Sequence, residues 1–89
     1  MTTDKPLHYK DLIAWQKSMS LTKRVYRVTD RFPPDEKFGL VTQLRRAAVS
    51  IPLNIAEGQA RRRTRELVRF ISCAEGSLTE IDTQLGAGN

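Results

Sequence analysis

The sequence predicts an all-α protein, folded as an up-and-down antiparallel helical bundle in one domain that spans residues 1–89. Three long stretches carry apolar residues at three- and four-residue spacing, which is the pattern of one face of a helix. Proline or glycine separates these stretches, at Pro33, Pro34 and Gly58, where helices end and the chain turns. A chain of 89 residues is near the lower size at which one core stabilises itself, so we also expect self-association.

Helix one is predicted for residues 11–31, after a loosely held arm at residues 1–10, with Asp11 as its N-cap. Two apolar stripes on roughly opposite sides predict that helix one is buried on two sides. Another subunit would pack against the second side. Trp15 and Tyr26 could alternatively stack on nucleobases, but their place within a stripe favours core or interface. The first stripe contains Leu12, Trp15, Met19 and Tyr26, and the second contains Ala14, Leu21, Val25, Val28 and Phe32.

Helix two is predicted for residues 35–57. Proline suits the first position of a helix, and Asp35 and Glu36 favour the positive end of its dipole. Gly39 inside this helix costs up to ~1 kcal/mol relative to alanine, which suggests that another backbone approaches closely there.

Pro52 interrupts helix two, because proline has no N–H to donate to the carbonyl of Ala48 and its ring crowds that carbonyl. One interpretation is a helix that kinks near Pro52 and continues, with Ser50 satisfying some of the freed backbone groups. This interpretation is favoured, because Ile51 and Ile55 keep the apolar phase on both sides of the proline.

The alternative is a helix that stops near Val49 and restarts, since Asn54 and Glu57 have the spacing of a capping box. Asn54 could also contact RNA, although local capping or packing is the simpler role. Gly58 suits a left-handed position after the end of the helix.

Helix three is predicted for residues 64–85, with Thr64 as its N-cap and residues 86–89 as a tail. Its apolar seam has alternating spacings of three and four, typical of a near-parallel bundle or a short coiled coil. Gly76 and Ser77 are small enough for a neighbouring helix to close in, and Cys73 is expected to be a packed or partly buried thiol. The seam contains Leu67, Phe70 or Ile71, Ala74, Leu78, Ile81 and Leu85.

The net charge of +5 is localised. Residues 41–70 contain seven arginines against Glu57 and Glu66, which accounts for the whole excess. Arginine suits phosphate better than lysine does, so this basic patch is typical of a surface for nucleic acid or another anion. A solvated face that keeps the protein soluble is the alternative. The candidate nucleic-acid-binding residues are Arg45, Arg46, Arg61, Arg62, Arg63, Arg65 and Arg69.

Several other functions have little support in the sequence. No apolar run is long enough to cross a membrane, the first residues do not resemble a signal peptide, and the single Cys73 suits a reducing compartment, so we expect a cytoplasmic protein. No metal-ligand spacing, phosphate loop or histidine–nucleophile pair occurs. We therefore expect no catalytic residues, no metal and no cofactor, and a surface role for His8.

Six motifs carry a family resemblance: YKDLIAWQK (9–17), FP (32–33), FGL (38–40), QLRRAAVSIP (43–52), NIAEG (54–58) and GSL (76–78). In this order and spacing, over about residues 9–85, the chain resembles the four-helix-bundle proteins encoded in intervening sequences of bacterial 23S rRNA genes. The resemblance implies an up-and-down bundle in a ring-shaped homopentamer and no established enzymatic activity.

The same resemblance implies kinship with the accessory variability protein of diversity-generating retroelements, a basic bundle that works with a reverse transcriptase and nucleic acid. The positions that carry over are Arg45, Arg46, Pro52, Asn54, Glu57 and Gly58, the last four as a structural motif. The family continues into a fourth helix, where this sequence ends at Asn89. Either the chain is truncated there, or a neighbour covers the seam of helix three.

Two functions follow as hypotheses. The first is a non-enzymatic, oligomeric protein that binds RNA or DNA through phosphate contacts from the arginine patch, with little sequence specificity. The alternative is an interaction or oligomerisation module that docks a partner, such as a polymerase or reverse transcriptase, through apolar helix faces.

Overall fold

The structure is a computed structural model that describes residues 9–58 and 63–87. Its elements are α1 (Tyr9–Thr29), a 3-10 turn (Pro34–Glu36), a π-helical turn (Lys37–Val41), α2 (Thr42–Ala56) and α3 (Thr64–Ala87). Neither described range contains a strand, so the predicted all-α class is confirmed. No helix within these ranges is both long enough and apolar enough to cross a membrane.

Helix α1 is the element against which both other helices pack. Its contacts with α2 run antiparallel: the Thr22 hydroxyl reaches the carbonyl of Ala48, and seven residues later Thr29 meets Arg45. Because α2 and α3 make few contacts with each other, a groove remains between them.

Contacts between α1 and α3 run parallel. Thr64 donates to the carboxylate of Asp11 over 2.8 Å at the start of both helices. Farther along, Arg24 donates to Thr79 over 2.9 Å. The sequence separation is 53 residues at the first contact and 55 at the second, so the two helices keep one register. The topology is therefore up-down-up.

The core uses only one of the two apolar stripes of α1. Its second stripe is buried from Ala14 to Val28, whereas Tyr26, in the first stripe, is 42 % exposed. In α3, Ile71 faces the core and is 1 % exposed, whereas its neighbour Phe70 is 58 % exposed. The buried core cluster consists of Leu21, Val25, Val28, Ala48, Ile71 and Leu78.

Helix α1 begins and ends two residues earlier than predicted. The expectation that Asp11 is the N-cap was wrong: this residue lies inside the first turn of α1, and its buried carboxylate accepts the hydroxyl of Thr64. At the other end, Phe32 donates its amide to the carbonyl of Thr29, three residues back. Pro33 disfavours the α conformation in the residue before it, which gives a physical reason for the early end.

The start of the predicted second helix is not α-helical. Residues 34–41 form the 3-10 turn and the π turn, and α2 begins only at Thr42. The wider π turn shifts the phase of the side chains, so that Val41 is buried while Phe38 is 95 % exposed. A Cβ added to Gly39 would have no atom within 4 Å, so the backbone contact expected there is absent from the described part of the chain.

Helix α2 continues through Pro52, as the favoured interpretation predicts. The compensation differs from the expected one, because the Ser50 hydroxyl donates to Ala47 over 2.7 Å. The carbonyl of Ala48, which Pro52 leaves without its helical donor, instead accepts the hydroxyl of Thr22 over 3.2 Å. Gly58 follows the helix with φ of 78°, the left-handed conformation that its position predicts.

Candidate nucleic-acid interface

The predicted arginines lie at two positions in the fold. Arg45 and Arg46 are in the first half of α2, while Arg63, Arg65 and Arg69 are at the start of α3. Ten residues separate Arg46 from the end of α2, a distance of about 15 Å along a helix. Arg61 and Arg62 lie outside the described residues. We therefore treat the arginines as two groups rather than one cluster.

Arg45 is bound tightly within the molecule. Its Nε donates to the Thr29 hydroxyl over 2.9 Å, and one terminal nitrogen donates to the carbonyl of Tyr26 over 3.3 Å and to the carboxylate of Asp30 over 2.9 Å. Its guanidinium carbon lies 4.5 Å from the centre of the Tyr26 ring. This arginine joins the end of α1 to α2, and its charge is balanced by Asp30.

Four other predicted arginines are exposed and have no ion-pair or hydrogen-bond partner among the described residues. Arg65 and Arg69 are four residues apart on α3, so they are neighbours on one helix face. An unpaired guanidinium keeps its full charge and all five donors for a ligand. The four residues are Arg46, Arg63, Arg65 and Arg69.

Two arginines of α1, with Arg31 just after its end, form a separate row that faces α3. Arg24 lies 3.6 Å from the Glu75 carboxylate, and Arg31 is paired with Asp82. Between them, Arg27 is exposed and makes no ion pair with a described residue. Exposed pairs of this kind contribute about 0–1 kcal/mol each, and they leave this row with little uncompensated charge.

Beside Arg46 lies a groove of about 470 Å³ between α1 and α2, which we call the Tyr26 groove. The Tyr26 ring and the Arg45 guanidinium form part of its wall, so aromatic, cationic and hydroxyl groups come together here. The groove is lined by Tyr26, Thr42, Arg45, Arg46, Val49, Ser50 and Leu53.

A second groove, of about 580 Å³, lies between α2 and α3 above α1, and we call it the apolar groove. Leu44 and Ile51 of α2 face Phe70 and Ala74 of α3 across it. Cys73 also lines the groove and is exposed, so the expectation of a packed or partly buried thiol was wrong.

The four residues of the predicted structural motif have different environments. Pro52 is buried against the rest of the bundle, and Gly58 forms the turn after α2. Asn54 and Glu57 are both exposed. Within the described residues, no three side chains of the metal-ligating types come together.

Sequence reasoning did not single out Ser18, Thr22 and Thr29, which lie on the buried side of α1. Ser18 and Thr29 are fully buried, and the Thr29 hydroxyl donates to the carbonyl of Val25 over 2.6 Å while it accepts from Arg45. The signal was present, because these hydroxyls follow the helical period beside the apolar stripe. Polar residues in that position need partners.

A family comparison agrees with the sequence motifs. The family model for 23S rRNA-intervening sequence protein matches residues 10–89. The chain belongs to this family. No significant match was found among curated proteins or among solved structures.

Proposed function

We propose that this member of the 23S rRNA-intervening sequence protein family is a non-enzymatic, cytoplasmic protein that binds nucleic acid through phosphate contacts from arginine. One observation carries the proposal: Arg46, Arg63, Arg65 and Arg69 are exposed without a partner among the described residues. The positive excess of the chain lies in the same segment. Arg61 and Arg62 belong to the proposed surface by sequence alone.

The distribution of the arginines over two groups favours contacts with several phosphates of the backbone. The length of α2 beyond Arg46, about 15 Å, equals the axial rise of four or five nucleotides of one duplex strand, at about 3.4 Å per nucleotide. Phosphate contacts fix register but carry no sequence information, so binding is expected to depend weakly on sequence.

The first test measures the anisotropy of a labelled structured RNA and a labelled duplex DNA at about 50 and 200 mM salt. With four phosphate contacts, the affinity falls about 50-fold on a single strand and about 150-fold on duplex DNA over this range. An affinity that does not change with salt, or no binding at the lower salt concentration, would contradict the proposal.

The second test locates the surface. Reversing three charges at Arg63, Arg65 and Arg69 to glutamate should abolish binding. All three side chains are exposed, and the positive end of the α3 dipole favours acidic residues at positions 63 and 65. The matched control reverses three exposed cations of α1 and changes the net charge equally, as Lys17→Glu, Lys23→Glu and Arg27→Glu. Equal losses of affinity in both variants would show that binding depends on the net charge and not on these arginines.

The apolar groove favours a second candidate function, the docking of an amphipathic helix from a partner such as a polymerase. Its walls come from two helices that pack on a third and leave a gap between them. Leu78, at 8 % exposed, belongs to the core, so a charge there would unfold the protein. Phe70→Asp is the better probe, and Leu53→Asp in the other groove is its control, because both residues are similarly exposed.

A labelled amphipathic peptide of leucine and glutamate distinguishes this candidate from the first. If the apolar groove docks helices, Phe70→Asp weakens binding of the peptide, Leu53→Asp does not, and salt has little effect on this binding.

We propose self-association as well, into the homopentamer that the family resemblance implies. Sedimentation velocity measures the size of the oligomer directly, and a monomer at high concentration would contradict it.

A further inference from the structure

The Tyr26 groove holds chemistry that phosphate binding does not use. Tyr26 is 42 % exposed although it lies on a helix flanked by α2. Leu53, which also lines the groove, is likewise exposed. Aromatic and apolar surface beside the exposed Arg46 suits a ligand with a flat ring and a phosphate.

The aromatic wall is held in place before any ligand arrives. Arg45 lies over the Tyr26 ring, with 4.5 Å between its guanidinium carbon and the ring centre, and Thr29 and Asp30 fix the guanidinium. A ring and a guanidinium that are already held in place lose little conformational freedom when a base binds to them. Tyrosine rings and arginine planes are the groups on which proteins stack unpaired bases.

The rim of the groove supplies the complementary polar groups. Arg46 is exposed and unpaired among the described residues, one position from Arg45. The Ser50 hydroxyl donates to Ala47 and keeps its acceptor lone pairs available. The charge of Arg45 is balanced by Asp30, so a phosphate would bind Arg46 rather than Arg45.

We propose that the Tyr26 groove binds one unpaired nucleotide of a single strand, with its base stacked on the Tyr26–Arg45 pair and its phosphate on Arg46. A duplex buries the faces of its bases in its own stack, so the groove distinguishes single-stranded from double-stranded nucleic acid. The inference rests on the proposed function and names the form of nucleic acid that this site takes.

The test compares two single strands with the same number of phosphates. One is a 12-nucleotide single-stranded DNA, and the other is a strand of equal length in which every base is replaced by tetrahydrofuran. Stacking of one base predicts that the whole protein binds the base-bearing strand about 5- to 150-fold more tightly. Equal affinities would overturn the inference and leave the phosphate proposal intact, whereas no binding of either strand at low salt would remove both.

Variants locate the effect. Tyr26→Ala should erase the difference between the two strands, Tyr26→Phe should keep it, and binding to a duplex of the same length should not change. The control is Leu12→Ala, another exposed residue of the same stripe. A preference that survives Tyr26→Ala in a folded variant would overturn the assignment to this groove.

Sedimentation of the same variants tests whether a second copy of the chain, rather than a nucleotide, occupies the Tyr26 groove. If Tyr26→Ala dissociates a wild-type oligomer while the two strands bind equally, the groove is a subunit interface and the inference is wrong. If the strand preference is lost and the oligomer persists, the base site is supported.

Discussion

The two grooves that flank α2 differ in chemistry, although the same helix lines both. The Tyr26 groove combines the cation–π contact of Tyr26 and Arg45 with hydroxyls and with Arg46, which has no partner among the described residues. The apolar groove is lined mainly by aliphatic side chains, together with Phe32 and Phe70. Ser50 belongs to both, so it marks the boundary where one face of α2 changes into the other.

The two sides of α2 are organised differently. On one side, hydrogen bonds from Arg45 order the surface. On the other side, nothing in the described chain covers the apolar residues between α2 and α3. Polar order suits a ligand with directional groups, whereas an open apolar surface suits another helix.

The largest expected effect is a difference in stability between a variant in the core beneath the apolar groove and a variant on the wall of the groove. Ile71→Ala should lower the free energy of unfolding by about 2–5 kcal/mol, because it leaves a cavity. Phe70→Ala should change it by about 0.5 kcal/mol or less, as exposed positions do. Urea denaturation followed by circular dichroism measures both, and similar losses in the two variants would mean that Phe70 is part of the core.

A smaller effect should separate two neighbouring arginines beside the Tyr26 groove. Arg45→Met should cost about 1–3 kcal/mol, because it leaves the buried Thr29 and the end of α1 without a donor. Arg46→Met should stay within about 0.5 kcal/mol and weaken nucleic-acid binding instead. The same denaturation experiment decides, and an Arg46 variant as unstable as the Arg45 variant would refute the distinction between them.

The smallest expected effect concerns the hydrogen bond that supports α2 at its proline. Thr22→Val should cost about 1 kcal/mol, because the carbonyl of Ala48 loses the donor that replaces the missing N–H of Pro52. In a Pro52→Ala background the helix supplies its own donor, so the same change should cost less. A double-mutant cycle measures this coupling.

A coupling near zero in that cycle would show that the Thr22 hydroxyl serves its other acceptor, the carbonyl of Ser18, at 2.9 Å. Thr83→Val is the control, since Thr83 is an exposed threonine with a similar bond to the carbonyl four residues before it, at 2.9 Å.

Much of the fold followed from local patterns. The period of the apolar residues predicted three helices, and the phase shared by Ile51 and Ile55 predicted that α2 continues past Pro52. Gly58 predicted the turn. The predicted start of the second helix was wrong. The π turn depends on how Val41 reaches the core, and that requirement comes from packing rather than from propensity.

The sequence by itself determined that the chain forms three helices and that the positive charge is concentrated in residues 41–70, because both depend on neighbours along the chain. Only the tertiary structure decided which stripe of α1 is buried and which arginine is already bound. Arg45 and Arg46 are adjacent and chemically identical, yet about 100° around the helix separates them. That rotation directs Arg45 to Thr29 and Asp30 and leaves Arg46 exposed, since the register of α2 against α1 fixes which guanidinium meets a partner.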